Sequence, residues 1–227
     1  IFPRFYFCSN QALLDILSNG NRPLKVAEYL GDIFDGVKTL DFSKAATTGR
    51  IASGILGKCG EKVHFAQDIM IDGAVEHYLV ALEAHFRLQL REILEQGRNT
   101  ADNWEIDKPR EFWLEEYCAQ LALVVTQIVW TEETVRTFEE MEAGSETAMK
   151  EYKKVCDERI EKLIKRVQTP LSGETRNKII TIITIDVHSR DIVEAFVVGK
   201  TTDATDFKWL SQLRFYWAPA PGPECGV

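Results

Sequence analysis

A chain of 227 residues with 45% hydrophobic and 27% charged side chains has the makeup of a folded protein, long enough to bury about 70–75% of its unfolded surface. Its 27 basic residues against 35 acidic ones leave a net charge of -8 with no Lys/Arg cluster, which argues against a nucleic-acid surface and against a grip on an acidic polymer. No apolar run reaches the ~18–20 residues of a membrane span, and five scattered cysteines (Cys8, Cys59, Cys118, Cys156, Cys225) without a C-x-x-C spacing argue against zinc or thioredoxin-type chemistry.

Ser9 is placed to cap a short helix carrying Ala12, Leu13, Ile16 and Leu17, closed by Gly20 and Pro23. A second helix is expected over 24–34, stopping at Gly36. Arg50 to Leu56 and Glu61 to Ile71 alternate in part and flank Gly57-Lys58-Cys59-Gly60, which predicts a β-hairpin. Val75, Leu79, Leu82, Phe86, Leu90 and Ile93 then recur every three or four residues, one apolar stripe that Gly97 is expected to end. A charged loop, 98–108, carries Trp104 and leads to Pro109. The next helix should run from about 111 to 131, with a continuation to 141 left open, and with Leu114, Tyr117, Leu121, Val124 and Ile128 on its apolar face.

After the turn at Gly144-Ser145, Met149, Tyr152, Cys156, Ile160, Leu163 and Val167 trace another stripe, ended by Pro170. From Ser172 to about Val198 the signals conflict. Ile179-Ile180-Thr181-Ile182-Ile183-Thr184-Ile185 suits a buried strand, yet no turn interrupts roughly 25 residues, too many for one strand. The spacing of Ile182, Ile185, Ser189, Ile192 and Phe196 decides for helix. No internal repeat is visible. The chain starts on Ile and opens mid-pattern, as a fragment would, and free thiols without a signal peptide fit a reducing interior, cytosol or cilium.

Chemistry-bearing patterns are few. Gly199-Lys200-Thr201 matches the end of a P-loop, but the position that needs the first glycine is Glu194, and Thr202 to Asp206 reads as loop where a helix should follow. The four histidines make no metal-binding spacing, and His77 and His85 are eight apart, roughly 12 Å along a helix. Asp186, His188, Arg190 and Asp191 form a polar cluster, read as structural, in which Asp186 and Arg190 are an i, i+4 ion pair and His188 points to another face. The acidic stretch 132–161 lacks calcium-loop spacing. Trp209, Phe215, Tyr216 and Trp217 with Arg214 read as a packing anchor for another protein module rather than a base-stacking platform.

Several strings are too particular for generic helix filler. These are F-P-R-F-Y-F-C-S-N-Q-A-L-L-D-I-L-S (Phe2 to Ser18), A-Q-L-A-L-V-V-T-Q-I-V-W-T-E-E-T-V (Ala119 to Val135), A-M-K-E-Y (Ala148 to Tyr152), L-S-G-E-T-R (Leu171 to Arg176), I-T-I-D-V-H-S-R-D-I-V (Ile183 to Val193) and D-F-K-W-L-S-Q-L-R-F-Y-W (Asp206 to Trp217). In that order they resemble the linker region of dynein heavy chains, the AAA+ motors of microtubules, and their wording is most similar to axonemal outer-arm chains. The resemblance implies a mainly α fold, an elongated array of antiparallel helices with one β-hairpin, serving as a mechanical lever without a catalytic, cofactor or metal site of its own.

ATP and magnesium would belong to the parent motor, whose Walker motifs lie downstream in the family. The partner implied is the AAA+ ring of the same heavy chain, met through Trp209, Gln212, Leu213, Arg214, Phe215, Tyr216 and Trp217. Other dynein subunits and microtubules would be engaged only through the parent complex, with neither nucleic acid nor membrane, in the cytoskeleton of a cilium or flagellum. The expected divisions are short N-terminal helices over 1–47, the hairpin over 48–72, a helical bundle over 73–205, a junction over 206–217 and an atypical tail over 218–227.

That tail departs from the family. Three of the seven prolines fall in it, so disorder is expected, as from a truncated or mis-spliced gene. Two rival readings are a stand-alone helical scaffold that binds a partner through its C-terminal aromatics and an NTPase built on Gly199-Lys200-Thr201.

Overall fold

Ser9 sits in extended backbone and its hydroxyl accepts the Ala12 N–H at 3.2 Å, which starts helix α1 (Asn10–Ser18). The single helix expected over 24–34 is three pieces: α2 (Pro23–Val26), a 3-10 turn (Ala27–Tyr29) and α3 (Leu30–Ile33). The tighter winding aligns residues three apart, and Ala27, Leu30 and Ile33 are all buried as a row. A computed structural model describes residues 2–44, 46–101, 104 and 108–218. The expected tail lies outside them but for Ala218, as do 102–103 and 105–107 of the expected charged loop.

Among the described residues the sheet has three strands, β1 (Val37–Leu40), β2 (Ile51–Gly57) and β3 (Lys62–Met70), antiparallel in the order β1-β2-β3. The hairpin β2–β3 turns as expected, with Gly60 at φ 96 and the Gly57 N–H donating to the Glu61 carbonyl at 2.8 Å. β1 was not expected; four residues after a glycine are too few for an alternation signal. The β2–β3 ladder is irregular. Ala52 faces Ile69 and Gly54 faces His64, so 65–68 bulge opposite Ser53 alone. A Cβ on Gly54 would stand 2.5 Å from the Val63 carbonyl oxygen, so the close approach there needs glycine.

Helix α4 (Val75–Ala101) buries Val75, Leu79, Leu82 and Phe86 in a core with Phe2, Ile16, Ile33, Phe34, Ile55 and Phe65. It also serves the bulge: Gln89 Oε1 accepts the Ala66 N–H at 2.5 Å, and His85 Nε2–H donates to the Gln67 carbonyl at 2.9 Å. Gly97 does not end the helix. A mid-helix glycine costs only about 1 kcal/mol, and the turn beyond is held by Arg98 on Glu132 (2.6 Å) and by the Trp113 indole N–H on the Thr100 hydroxyl (2.9 Å).

The chain divides into two compact units, Ile1–Gln96 and Gly97–Val227. In the second, the helix expected from 111 is broken into α5 (Arg110–Glu116) and α6 (Ala119–Glu142) at the extended residues Tyr117 and Cys118. The Tyr117 carbonyl, freed from the helix ladder, accepts the buried Lys178 ammonium at 2.7 Å, a partner 61 residues away. α7 (Ala148–Val167) and α8 (Gly173–Gly199) follow. Arg176 reaches the Val167 carbonyl and Arg190 reaches Asp157, so the two run antiparallel. In α8 the β-branched run is helical: Ile179 and Ile182 are fully buried, while the Thr181 and Thr184 hydroxyls donate to carbonyls four residues back. No helix among the described residues is long and apolar enough to cross a membrane.

Candidate interaction site at the C-terminal strap

α8 ends in a left-handed cap. Lys200 stands at φ 50, its N–H donates to the Val197 carbonyl and the Thr201 N–H to the Phe196 carbonyl at 3.0 Å. Gly199-Lys200-Thr201 is therefore the finish of a helix. A P-loop needs the opposite end, where free N–H groups face the phosphates; here the carbonyl end of the dipole opposes an anion.

Beyond the cap, Asp203 Oδ1 accepts the Thr205 N–H at 2.7 Å, which holds that carboxyl below its usual range. Asp206 then accepts the Lys208 N–H at 2.8 Å and starts the one-turn helix α9 (Phe207–Leu210). That turn drives Trp209 inward until 1% of it is exposed, against Trp130 (ring centroids 5.5 Å apart), Phe138 and Phe196. Arg214 lies over the Trp209 ring at 5.6 Å. Further along, the Phe215 N–H donates to the buried Thr131 hydroxyl at 3.1 Å, which itself donates to the Gln127 carbonyl. The strap 211–218 is thus tied to α6 at Thr131, and α9 before it is seated on α6 through Trp209 against Trp130 and Phe138.

The sequence-expected residues separate into two sets. Trp209 is core, and Gln212, Arg214, Phe215 and Trp217 are half-buried, with the Gln212 amide donating to the Lys208 carbonyl. Leu213 and Tyr216 are 76% and 60% exposed. Phe207, 79% exposed, and Leu210 add to these exposed apolar side chains, and sequence reading missed both because no element had been expected at 207–210. The spacing 207, 210, 213, 216 was the available signal. Beside the strap, Leu123, Val124 and Gln127 of α6, Ile185 and His188 of α8, and Leu213 and Phe215 line an open groove of about 350 Å³.

The polar cluster of α8 is not the local one expected. Asp186 does not pair with Arg190. It takes both arms of Arg110 from α5, at 2.6 and 2.9 Å, and Arg110 also donates to the Thr126 hydroxyl and lies 4.9 Å from the Trp104 ring. Arg190 instead reaches Asp157 of α7 at 3.0 Å and its neighbour Asp191 at 2.7 Å, while His188 is exposed. A bidentate partner from a facing helix outcompetes an i, i+4 pair worth a few tenths of a kcal/mol, and such a partner is invisible to local spacing.

A second buried pair sits close by. Arg159 of α7 forks onto Glu133 of α6 at 2.6 and 2.8 Å, and the Tyr152 hydroxyl donates to the same carboxylate. Burial works against the Arg159 charge, but Glu133 outweighs it and holds the guanidinium above its usual value. Burial also pushes the Cys156 thiol up to about 12 and the Tyr152 phenol well above its ordinary value. These groups stay neutral and packed. Among the described residues no cluster of three or more His, Cys, Asp or Glu could hold a metal ion.

Residues 1–97 match the family described as "Dynein heavy chain, N-terminal region 2". The chain is 41% identical over 219 residues, 96% of its length, to "Dynein beta chain, ciliary" of Tripneustes gratilla. It is 39% identical over 218 residues to "Dynein axonemal heavy chain 9" of Homo sapiens, and 38% identical over 220 residues to "Dynein alpha chain, flagellar outer arm" of Chlamydomonas reinhardtii, each across 95% of the chain. It spans about 5% of the length of these curated relatives. With the family's N-terminal region matched and nearly the whole chain aligned to axonemal, ciliary and flagellar relatives, the chain belongs to the dynein heavy chain family.

Proposed function

We propose that the chain is a mechanical linker segment of an axonemal dynein heavy chain, and that α9 and the strap are the face it turns toward the first AAA+ module. The observation that carries this reading is the exposed apolar set Phe207, Leu210, Leu213 and Tyr216, held on a segment whose Trp209 is fixed in the core. Exposed groups of large apolar side chains mark contact surfaces, and the buried tryptophan anchors this one. Load entering at the set would pass through Trp209 into α6 and α8. Chemistry is left to the rest of the heavy chain. ATP and magnesium bind there, the segment contributes stiffness through its packed helices, and microtubules and other dynein subunits are engaged through the assembled motor in the axoneme.

The test is Leu213→Asp together with Tyr216→Asp in the heavy chain that carries this segment. Both side chains are exposed, so the segment keeps its fold. Gliding of microtubules over the motor should slow at least several-fold while basal ATP hydrolysis persists. Unchanged gliding speed would remove the set from the force path.

A further inference from the structure

Of the seven prolines, Pro170 alone follows a serine or threonine. Thr169 and Pro170 lie in the short connection 168–172 between α7 and α8, where Gln168, Pro170 and Ser172 are exposed and Thr169 is half-buried. Proline has no N–H to donate and keeps the residue before it out of helical backbone. The surroundings of the Thr169 hydroxyl are cationic. Arg166 Nη1–H donates to it at 3.1 Å, and the hydroxyl donates to the Arg166 carbonyl at 2.7 Å. Arg176 of α8 reaches the Thr169 carbonyl at 3.3 Å and the Val167 carbonyl at 2.7 Å. Both of these partners are neutral, and among the described residues no carboxylate pairs with Arg176. Arg166 is shared: its Nε–H donates to Glu115 of α5 at 2.7 Å, and its guanidinium lies 4.9 Å from the Phe112 ring. Two guanidiniums thus reach one threonine, and one of them has no counter-ion.

We propose that Thr169 is a modification site: a proline-directed kinase phosphorylates its hydroxyl, and Arg166 and Arg176 receive the phosphate. In that step the Thr169 oxygen bonds to the γ-phosphorus of a nucleoside triphosphate, and the bond from that phosphorus to its bridging oxygen breaks. The nucleoside diphosphate leaves, and the hydroxyl proton goes to the base of the kinase. The product carries about −1.5 to −2 charges at neutral pH and three strong acceptor oxygens. The carbonyl end of α7 opposes that charge, but two guanidiniums outweigh a half-charge dipole, and Arg176 offers one that nothing else neutralises. A phosphate dianion also outcompetes the single charge of Glu115 for Arg166. Modification therefore releases the bridge from α7 to α5 and grips the α7–α8 connection from both sides. The site stands on the second unit alone and needs no ring module, so it stands or falls separately from the gliding test above.

The experiment takes two readings from the folded chain. Incubation with ATP, magnesium and a purified proline-directed kinase of the mitogen-activated class, followed by peptide mass spectrometry, should find one phosphate on Thr169. A synthetic peptide spanning 160–178 serves as the accessible control. The phosphorus-31 resonance of the product, followed through pH, then gives the second ionisation of the phosphate. Two guanidiniums favour the dianion, so its pKa should fall about one unit below the value near 6 of the free phosphopeptide. It should move back toward that value in Arg176→Gln; should that variant not fold, Arg166→Gln takes its place. Phosphate on the peptide but not on the folded chain overturns the proposal, because the connection is then closed to a kinase. Phosphate on neither overturns it too, as does a phosphothreonine that titrates like the free phosphopeptide.

Discussion

Breaking the Arg110–Asp186 pair on one side should cost far more than replacing both partners. The two side chains are 6% and 12% exposed, and the guanidinium fills three roles: both carboxylate oxygens, the Thr126 hydroxyl and the Trp104 face. Arg110→Met leaves the Asp186 carboxylate largely desolvated with no counter-ion, a loss of about 3–5 kcal/mol. In the double variant Arg110→Met/Asp186→Leu the desolvation penalty disappears with the pair, and stability should return to within about 2 kcal/mol of the parent chain. Asp186→Leu alone strands the guanidinium at a similar cost, so the coupling energy of the cycle is at least about 4 kcal/mol. All five tryptophans, Trp104, Trp113, Trp130, Trp209 and Trp217, fall in the second unit, so urea unfolding followed by tryptophan fluorescence reads that unit alone. A single-variant loss below about 1 kcal/mol, or strictly additive losses, would refute the pair as a buried one.

In the first unit, which holds no tryptophan, Phe86 contacts the rings of Phe34 and Phe65 at 5.3 and 5.8 Å. Phe86→Ala should lower stability by about 3–5 kcal/mol in urea melts followed by far-ultraviolet circular dichroism. A loss under about 1 kcal/mol would place the ring at a surface. Asp157 should be a source of acid sensitivity. Burial would raise its carboxyl, but hydrogen bonds from Arg190 and Lys153 prevail and hold it below its ordinary 3.8. A carboxyl lowered in the folded state contributes stability that is complete above its unfolded value and lost as pH falls through the folded one. The loss therefore belongs to the acid side of 3.8, and Asp157→Asn should flatten that limb of a pH–stability curve; an unaltered limb would discount the α7–α8 bridge.

Long amphipathic stripes were the legible part of the fold. The α7 pattern from Met149 to Leu163 is buried residue for residue, and α8 is one helix despite its β-branched run, because its length ruled out a strand. What escaped reading depended on distant partners. The break at Tyr117 is stabilised by Lys178, the persistence of α4 beyond Gly97 by Glu132 and Trp113, and the placement of Asp186 by Arg110. No window of neighbouring residues contains those pairs. The C-terminal aromatics stood out by composition, yet their sorting into a buried Trp209 and exposed Leu213 and Tyr216 required α9, a single turn set by Asp206.

The bulge in β3 has a consequence for how the first unit would respond to a pull along α4. Ala66 and Gln67 leave the ladder there, and their backbone groups are bonded to Gln89 and His85, while the His85 ring packs edge-on against Phe65 at 4.8 Å. Side chains four residues apart on α4 are thereby keyed into one kink of one strand. A helix resting on a smooth sheet can creep by small repacking steps, but this one cannot advance without breaking both hydrogen bonds and dislodging the ring together. Tension along the α4 axis meets them in shear, in parallel, instead of peeling them one by one. Such a joint resists sliding and yields all at once, as a keyed shaft does.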